Sequence, residues 1–196
     1  MLYLSGSNGL YGYGLQNHTI WHVSTIGGPG CWQDTGMFAT RDLALSHRVG
    51  DTLYFSGSGS NGWELYAYNT VNTTTWLVAD INQGTGSSAP GASFFQEAGD
   101  VFLFSADDGS SGTELWAHDT SNGTTWRVAD INPGSGSSSL TNKDVQAMIG
   151  DVVLFRATDG SSQELWAYNL SNTTVWQAAN LSSGVASPWG IMAATW

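Results

Sequence analysis

Residues 114–131, ELWAHDTSNGTTWRVADI, decide the fold, because the chain carries the same stretch again on either side. Residues 64–81 read ELYAYNTVNTTTWLVADI and residues 164–181 read ELWAYNLSNTTVWQAANL, each displaced by fifty positions. A shorter, diverged copy stands first, with Tyr11-Gly12-Tyr13 in place of Tyr66-Ala67-Tyr68 and Trp21-His22-Val23 in place of Trp76-Leu77-Val78. A fixed period of this length signals a stacked or radial array. It also weighs against an enzyme, since catalysis needs one asymmetric site and duplication makes several similar ones.

Within the third copy the chain reads as four short strands. Residues 93–99 (SFFQEAG) are apolar and close on the turn signal Gly99-Asp100. Residues 101–106 (VFLFSA) are β-branched and aromatic, as a buried strand requires. After the loop Asp107–Gly112, residues 114–119 alternate, with Leu115 and Ala117 on one face and Glu114, Trp116 and His118 on the other. A turn at 120–123 leads into residues 125–131, which alternate again. Residues 132–139 (NPGSGSSS) are too polar and Gly-rich to pack and read as a connector. We name the four strands a to d in chain order.

Four antiparallel strands per repeat, with no helical periodicity, describe the blade of a β-propeller. A one-dimensional β solenoid is the competing arrangement. The expectation is an all-β, four-bladed propeller-like array in a single repeat domain: a diverged repeat at 1–30, repeats at 31–82, 83–132 and 133–182, and a closing strand at 183–196. The opening residues Met1, Leu2, Tyr3 and Leu4 match strand b, as in Leu53-Tyr54-Phe55-Ser56. Trp189, Ile191, Met192 and Trp196, in WGIMAATW, match strand a. The last strand is thus expected to complete the first blade, either in its own chain or in a neighbour, and a head-to-tail contact that does not close makes a filament.

Composition narrows the function classes. Sixteen acids against five bases, a formal net charge of −11, leave no basic patch for nucleic acid or an anionic membrane surface. No stretch approaches the roughly 20 apolar residues that span a bilayer, and no signal peptide precedes the strand-like opening. Cys31 is the single cysteine, so no disulfide forms within the chain. Ten Trp, seven Tyr and seven Phe supply a large apolar area. Low charge with abundant Gly, Ser, Thr and Asn fits a secreted, surface-exposed β protein.

At Glu114-Leu115-Trp116-Ala117-His118-Asp119 the sequence resembles the ELWxxDGT repeat family of large secreted bacterial surface proteins. The Val-Ala-Asp-Ile segment, Asn132-Pro133-Gly134-Ser135-Gly136-Ser137-Ser138 and Leu53-Tyr54-Phe55-Ser56 agree with it, over about residues 50–185. The resemblance implies a propeller-like extracellular repeat with surface, adhesive or matrix roles and no established catalysis. The family's Asp-Gly-Thr is replaced here by Asn69-Thr70-Val71, Asp119-Thr120-Ser121 and Asn169-Leu170-Ser171, and the first repeat lacks the Glu.

Those replacements bring N-glycosylation sequons to one repeat position. Asn17, Asn72, Asn122 and Asn172 each begin Asn-x-Thr at the turn between strands c and d, and Asn169 and Asn180 begin two more. Asn and Thr also suit a turn without any glycan. Glu64, Glu114 and Glu164 recur at strand c and read as structural hydrogen-bonding groups. Asp107, Asp108 and Asp159 resemble fragments of a calcium site, but the equivalent loop of the second repeat, residues 56–62 (SGSGSNG), carries no acid; no cofactor is expected.

The Trp column Trp21, Trp76, Trp126 and Trp176, with the pair Trp116 and Trp166, reads as packing between blades, with sugar stacking as the alternative. Trp32 and Trp63, the latter placed in a loop, are the more irregular and so the better ligand-binding candidates, together with Asp107 and Asp108. His18, His22, His47 and His118 show no HExxH or paired spacing, and no GxSxG elbow occurs. The expectation is therefore an extracellular or cell-surface structural glycoprotein whose partners are copies of itself and covalent glycans. A closed monomeric propeller that binds glycans is the second reading, and an extracellular hydrolase using Asp108 the third.

Overall fold

The computed structural model describes residues 2–6, 9–26 and 46–181 of the chain, which are all-β and contain no helix. Two compact units divide it, Met1–Ala92 and Ser93–Trp196. In the first, β1 (Leu2–Gly6), β2 (Gly9–Tyr13) and β3 (Ile20–Ser24) make a three-stranded sheet in that order. Its companion is the four-stranded sheet β4 (Ser46–Val49), β5 (Thr52–Gly59), β6 (Gly62–Asn69) and β7 (Thr75–Ala79). The second unit holds β8 (Phe95–Ala98), β9 (Val101–Asp107), β10 (Thr113–Asp119) and β11 (Thr124–Ala129), then β12 (Thr141–Ile149), β13 (Val152–Thr158), β14 (Gln163–Asn169) and β15 (Thr174–Ala179). Every pairing is antiparallel between strands consecutive in sequence.

Local chemistry explains the repeated details. The a–b hairpins close on two residues, between Val49 and Thr52, Ala98 and Val101, and Ile149 and Val152. Gly50, Gly99 and Gly150 take φ of 55°, 67° and 57° at the first central position, as a type II′ turn needs and a side chain resists. Between strands c and d the register shifts at Leu10/Tyr11, Leu65/Tyr66, Leu115/Trp116 and Leu165/Trp166, one bulge per sheet at the same repeat position. A bulge bends the strand and raises its twist, so each d strand turns away at the same place.

The central strands are buried on both faces. Along β9, Phe102 to Ala106 are all buried, and along β10 Glu114, Leu115, Ala117 and His118 are. In the second unit the two sheets meet through Phe94 and Phe155, ring centroids 5.8 Å apart, with Leu103, Leu115, Leu140 and Val153 around them. In the first, Leu10 packs with Leu53, Phe55, Tyr66 and Tyr68. Each such side chain contributes about 1.5–3 kcal/mol by burial.

Two sequence expectations need correction. Trp63 lies in strand β6, opposite Ser58, rather than in a loop. The connectors at 82–89 and 132–139 do pack: Ser88 and Ser138 are buried, because they close onto a buried carboxylate.

Candidate functional site

Three polar constellations recur on the sheets. The first is internal. Glu64, Glu114 and Glu164 open the buried run of strand c, at 0%, 0% and 2% exposure. The Glu64 carboxylate accepts the backbone N–H of Ile81 at 2.8 Å, Asn82 at 3.3 Å and Ser88 at 3.0 Å, and the Ser88 hydroxyl at 2.6 Å. Glu114 repeats this with Ile131 at 2.8 Å and Asn132 at 3.4 Å, and with the Ser138 hydroxyl. Glu164 accepts from Leu181 and Ser162.

Each carboxylate thus folds the start of its connector over the start of strand c, and the connector's Asn82 or Asn132 amide then closes the loop on Ser87 or Ser137. Burial pushes the Glu64 and Glu114 carboxyls up from their ordinary value, against the opposing pull of these hydrogen bonds. The acids are structural clamps, enclosed away from any substrate.

The second constellation lies in the b–c loops, where the sequence suggested calcium. Asp108 accepts Ser110 N–H at 2.9 Å, Ser111 N–H at 2.8 Å and the Ser110 hydroxyl at 2.8 Å, and pairs with Arg127 at 3.2 Å. Burial works to raise its pKa, yet these hydrogen bonds outweigh it and hold the carboxyl at about 2. Asp107 accepts Gly109 N–H at 2.7 Å, and Asp159 accepts Ser161 N–H at 3.0 Å. Both Asp108 oxygens are thus engaged, while Asp107 and Asp159 each use Oδ1 within their loops. Among the described residues no three His, Cys, Asp or Glu side chains gather as a metal site.

The third is exposed, at the c–d turns. Asn17, Asn72, Asn122 and Asn172 all stand exposed at the hairpin tips. In every copy the Asn Oδ1 accepts the hydroxyl of its own sequon Thr: Thr19 at 2.9 Å, and Thr74, Thr124 and Thr174 at 2.7 Å each. The middle residue is left-handed in all four, His18 at φ 53°, Thr73 at 59°, Gly123 at 75° and Thr173 at 57°. That conformation strains a β-branched Thr by about 1–3 kcal/mol. Asn169 is half-buried and its Oδ1 accepts Ser171 N–H at 2.9 Å, while Asn180 is exposed.

Four residues after each sequon Asn comes a Trp on strand d, opposite a small residue of strand c: Gly12 with Trp21, Ala67 with Trp76, Ala117 with Trp126 and Ala167 with Trp176. A Cβ on Gly12 would come within 2.4 Å of the Trp21 ring, so the indole lies against β2. The packing expectation holds for Trp126, which joins the core of its unit and donates its ring N–H to the Tyr168 hydroxyl. Trp21, Trp76 and Trp176 are instead 36%, 40% and 39% exposed. Trp63 is half-buried, its backbone tied to Ser87 and Ser88. Sequence reasoning missed the exposed indoles and the serines Ser88 and Ser138; only the fifty-residue register of Ser-Ser after the Gly-rich stretch hinted at the latter.

The final feature is an edge. Leu2, Tyr3 and Leu4 on β1 pair with Tyr13, Gly12 and Tyr11 of β2. In the other three sheets the strand at the β1 position has an outer partner, β4, β8 or β12. Among the described residues β1 has none. Met1, Cys31, Trp32, Trp189, Ile191, Met192 and Trp196 lie outside the described residues.

No family model matches the chain, and no curated protein matches its sequence. Among solved structures it is similar to the extracellular domain of what is described as a one-component system of B. thetaiotaomicron, at 16% identity and a TM-score of 0.50, covering 96% of this chain and 22% of that one. It also matches TolB from Acinetobacter baumannii at 14% identity and a TM-score of 0.48, covering 85% of this chain and 36% of that one. The chain thus spans about a fifth to a third of the length of these structures. At 16% identity the first of these likenesses speaks to the fold alone, which is all-β and propeller-like. Among the described residues no helix is long and apolar enough to cross a membrane.

Proposed function

We propose that the chain is an extracellular structural subunit of the ELWxxDGT-like kind that assembles head to tail into a filament or surface layer by strand complementation. The observation that supports this reading is that, among the described residues, β1 has no outer partner, while the other three sheets each have a strand at that place. An unpaired edge of this sort offers a row of backbone N–H and C=O groups to an incoming strand. The incoming strand is one with the strand-a pattern of residues 189–196, donated by a neighbouring copy; taken from the same chain, it would instead close a four-bladed ring. Sequence periodicity agrees, since one shared pattern serves donor and acceptor in every copy. No catalytic step belongs to this reading, and the enclosed position of Glu64, Glu114 and Glu164 accords with that.

Electron microscopy of the native material, with and without residues 189–196, tests it. Filaments with one subunit per axial step that vanish on deletion are the expected result. Assembly that survives the deletion, or isolated single-chain particles at the natural concentration, would overturn it.

A further inference from the structure

We propose that Asn17, Asn72 and Asn172 are N-glycosylated and that the first sugar of each glycan packs on the exposed indole four residues downstream, Trp21, Trp76 and Trp176. The proposal rests on the extracellular placement proposed above, not on the assembly. A sequon and an aromatic face share the same register in every repeat, and in the first repeat they line one depression. Asn17 and Trp21, with Gly14, Leu15 and Gln16, line a half-open surface depression of about 380 Å³. The Trp21 indole lies against β2 at Gly12 and also borders this depression. Trp76 and Trp176 stand in the same register opposite Ala67 and Ala167, and their indoles are exposed to a similar degree.

The turn chemistry agrees. The sequon Thr hydroxyl is held on the Asn Oδ1 at 2.7–2.9 Å, so Nδ2 is the end of the amide that faces away from the turn. In Asn17, Asn72 and Asn172 that nitrogen makes no hydrogen bond among the described residues. The third repeat differs on both counts. Asn122 Nδ2 donates to Asp119 at 2.8 Å, and Trp126 is half-buried against the core and bonds Tyr168. It therefore provides a control inside the same molecule.

The covalent step needs a lipid-pyrophosphate-linked oligosaccharide and its transferase. Nδ2 forms a bond to the anomeric carbon as the carbon–oxygen bond to pyrophosphate breaks; Nδ2 loses one proton, and the lipid pyrophosphate leaves. The pyranose face then offers C–H groups to the indole, the arrangement that a Trp ring accepts through its electron-rich face. Sugars so placed cover three exposed Trp rings that would otherwise face water.

The test uses the protein isolated from the organism that makes it. Peptide mapping by mass spectrometry reads the occupancy of each site, and the melting temperature is compared before and after enzymatic removal of the glycans, for the natural chain and for Trp76→Ala. Expected are occupied Asn17, Asn72 and Asn172 with Asn122 occupied less, and a loss of about 2–4 °C on deglycosylation that shrinks in Trp76→Ala. A Trp76→Phe variant, which retains an aromatic face, should restore most of the loss. Unmodified asparagines at the three sites, equal or higher occupancy at Asn122, or an equal loss in all variants would overturn the proposal. Filament formation is read separately by microscopy, so either idea can fail without the other.

Discussion

The connector after strand d and the turn between strands c and d are both short, polar and rich in Gly, Ser, Thr and Asn, yet the structure treats them in opposite ways. Residues 130–138 (DINPGSGSS) wrap a carboxylate that is wholly enclosed, and Ser138 is buried with it. Residues 120–124 (TSNGT) lie at the surface, with Ser121 to Thr124 exposed. The difference is the kind of partner each loop meets. Glu114 brings a buried carboxylate to the connector from seventeen residues away in sequence, whereas the turn sets Thr120 on the exposed Asp100 carbonyl and otherwise bonds within residues 119–124. Polar composition therefore marks a loop without saying which side of the surface it occupies. What matters is whether the partner that reaches the loop is itself buried.

That contrast is open to measurement. The largest effect is expected from Glu114→Ala, which leaves the N–H groups of Ile131 and Asn132 without their acceptor. The expected loss is about 3 kcal/mol or more, against about 1 kcal/mol for Asn122→Ala. Equal losses in urea titrations would erase the distinction between the two loops.

The next effect concerns pH. His118 takes the place that Tyr13, Tyr68 and Tyr168 hold in the other repeats. It is 1% exposed, its Nδ1 lies 2.8 Å from the Thr125 hydroxyl, and its ring packs on Phe102 at 5.1 Å. Burial draws its pKa from an ordinary 6.5 down to about 4, against the upward pull of Asp119. The folded chain holds the neutral ring, so the unfolded chain binds the proton first. Its contribution is thus present above pH 6.5 and lost as pH falls through about 4, amounting to about 3 kcal/mol.

Glu64 and Glu114 act in the opposite sense. Their raised values add stability below the ordinary carboxyl range and remove it as pH rises through the raised ones. Unfolding of His118→Tyr between pH 7 and pH 4 should therefore lack most of the acid loss seen in the natural chain. An unchanged pH profile would mean that the buried imidazole is not its source.

The smallest effect compares the turns among themselves. Gly123 adopts its left-handed conformation without strain, while Thr73 does so against its β-branched side chain. Thr73→Gly should stabilise by about 0.5 kcal/mol and Gly123→Thr should destabilise by about 1 kcal/mol, with both sequons retained. Thermal melts in which the two changes have the same sign would show that something other than backbone strain chose these residues.

Much of this architecture was legible in the residues, and the reason is locality. Strands β9, β10 and β11 begin and end within one or two residues of their expected limits, because β-branched alternation and Gly-Asp or Asn-x-Thr turns act over a few positions. The c–d turn site was equally visible, since its hydrogen bonds join residues two apart. Trp63 was misplaced because its Asn61-Gly62 flank reads as loop, while its strand character comes from pairing with β5 across Gly59 and Gly62. The exposure of Trp21, Trp76 and Trp176 was hidden for a related reason. A Trp repeated on strands looks like core, and Trp126, where a neighbouring sheet supplies Tyr168, packs half-buried against the core.

From the sequence alone follow the fifty-residue period, the four-strand unit, the sequon at each turn and the acidic surface, all set by local propensity, spacing and charge. Only the tertiary structure decides that the repeated Glu is a buried clamp, that Asp108 spends both carboxylate oxygens on its own loop and Arg127, and that β1 has no outer partner among the described residues. Those outcomes depend on which groups from distant strands arrive at the same place, and on how much water remains once they do.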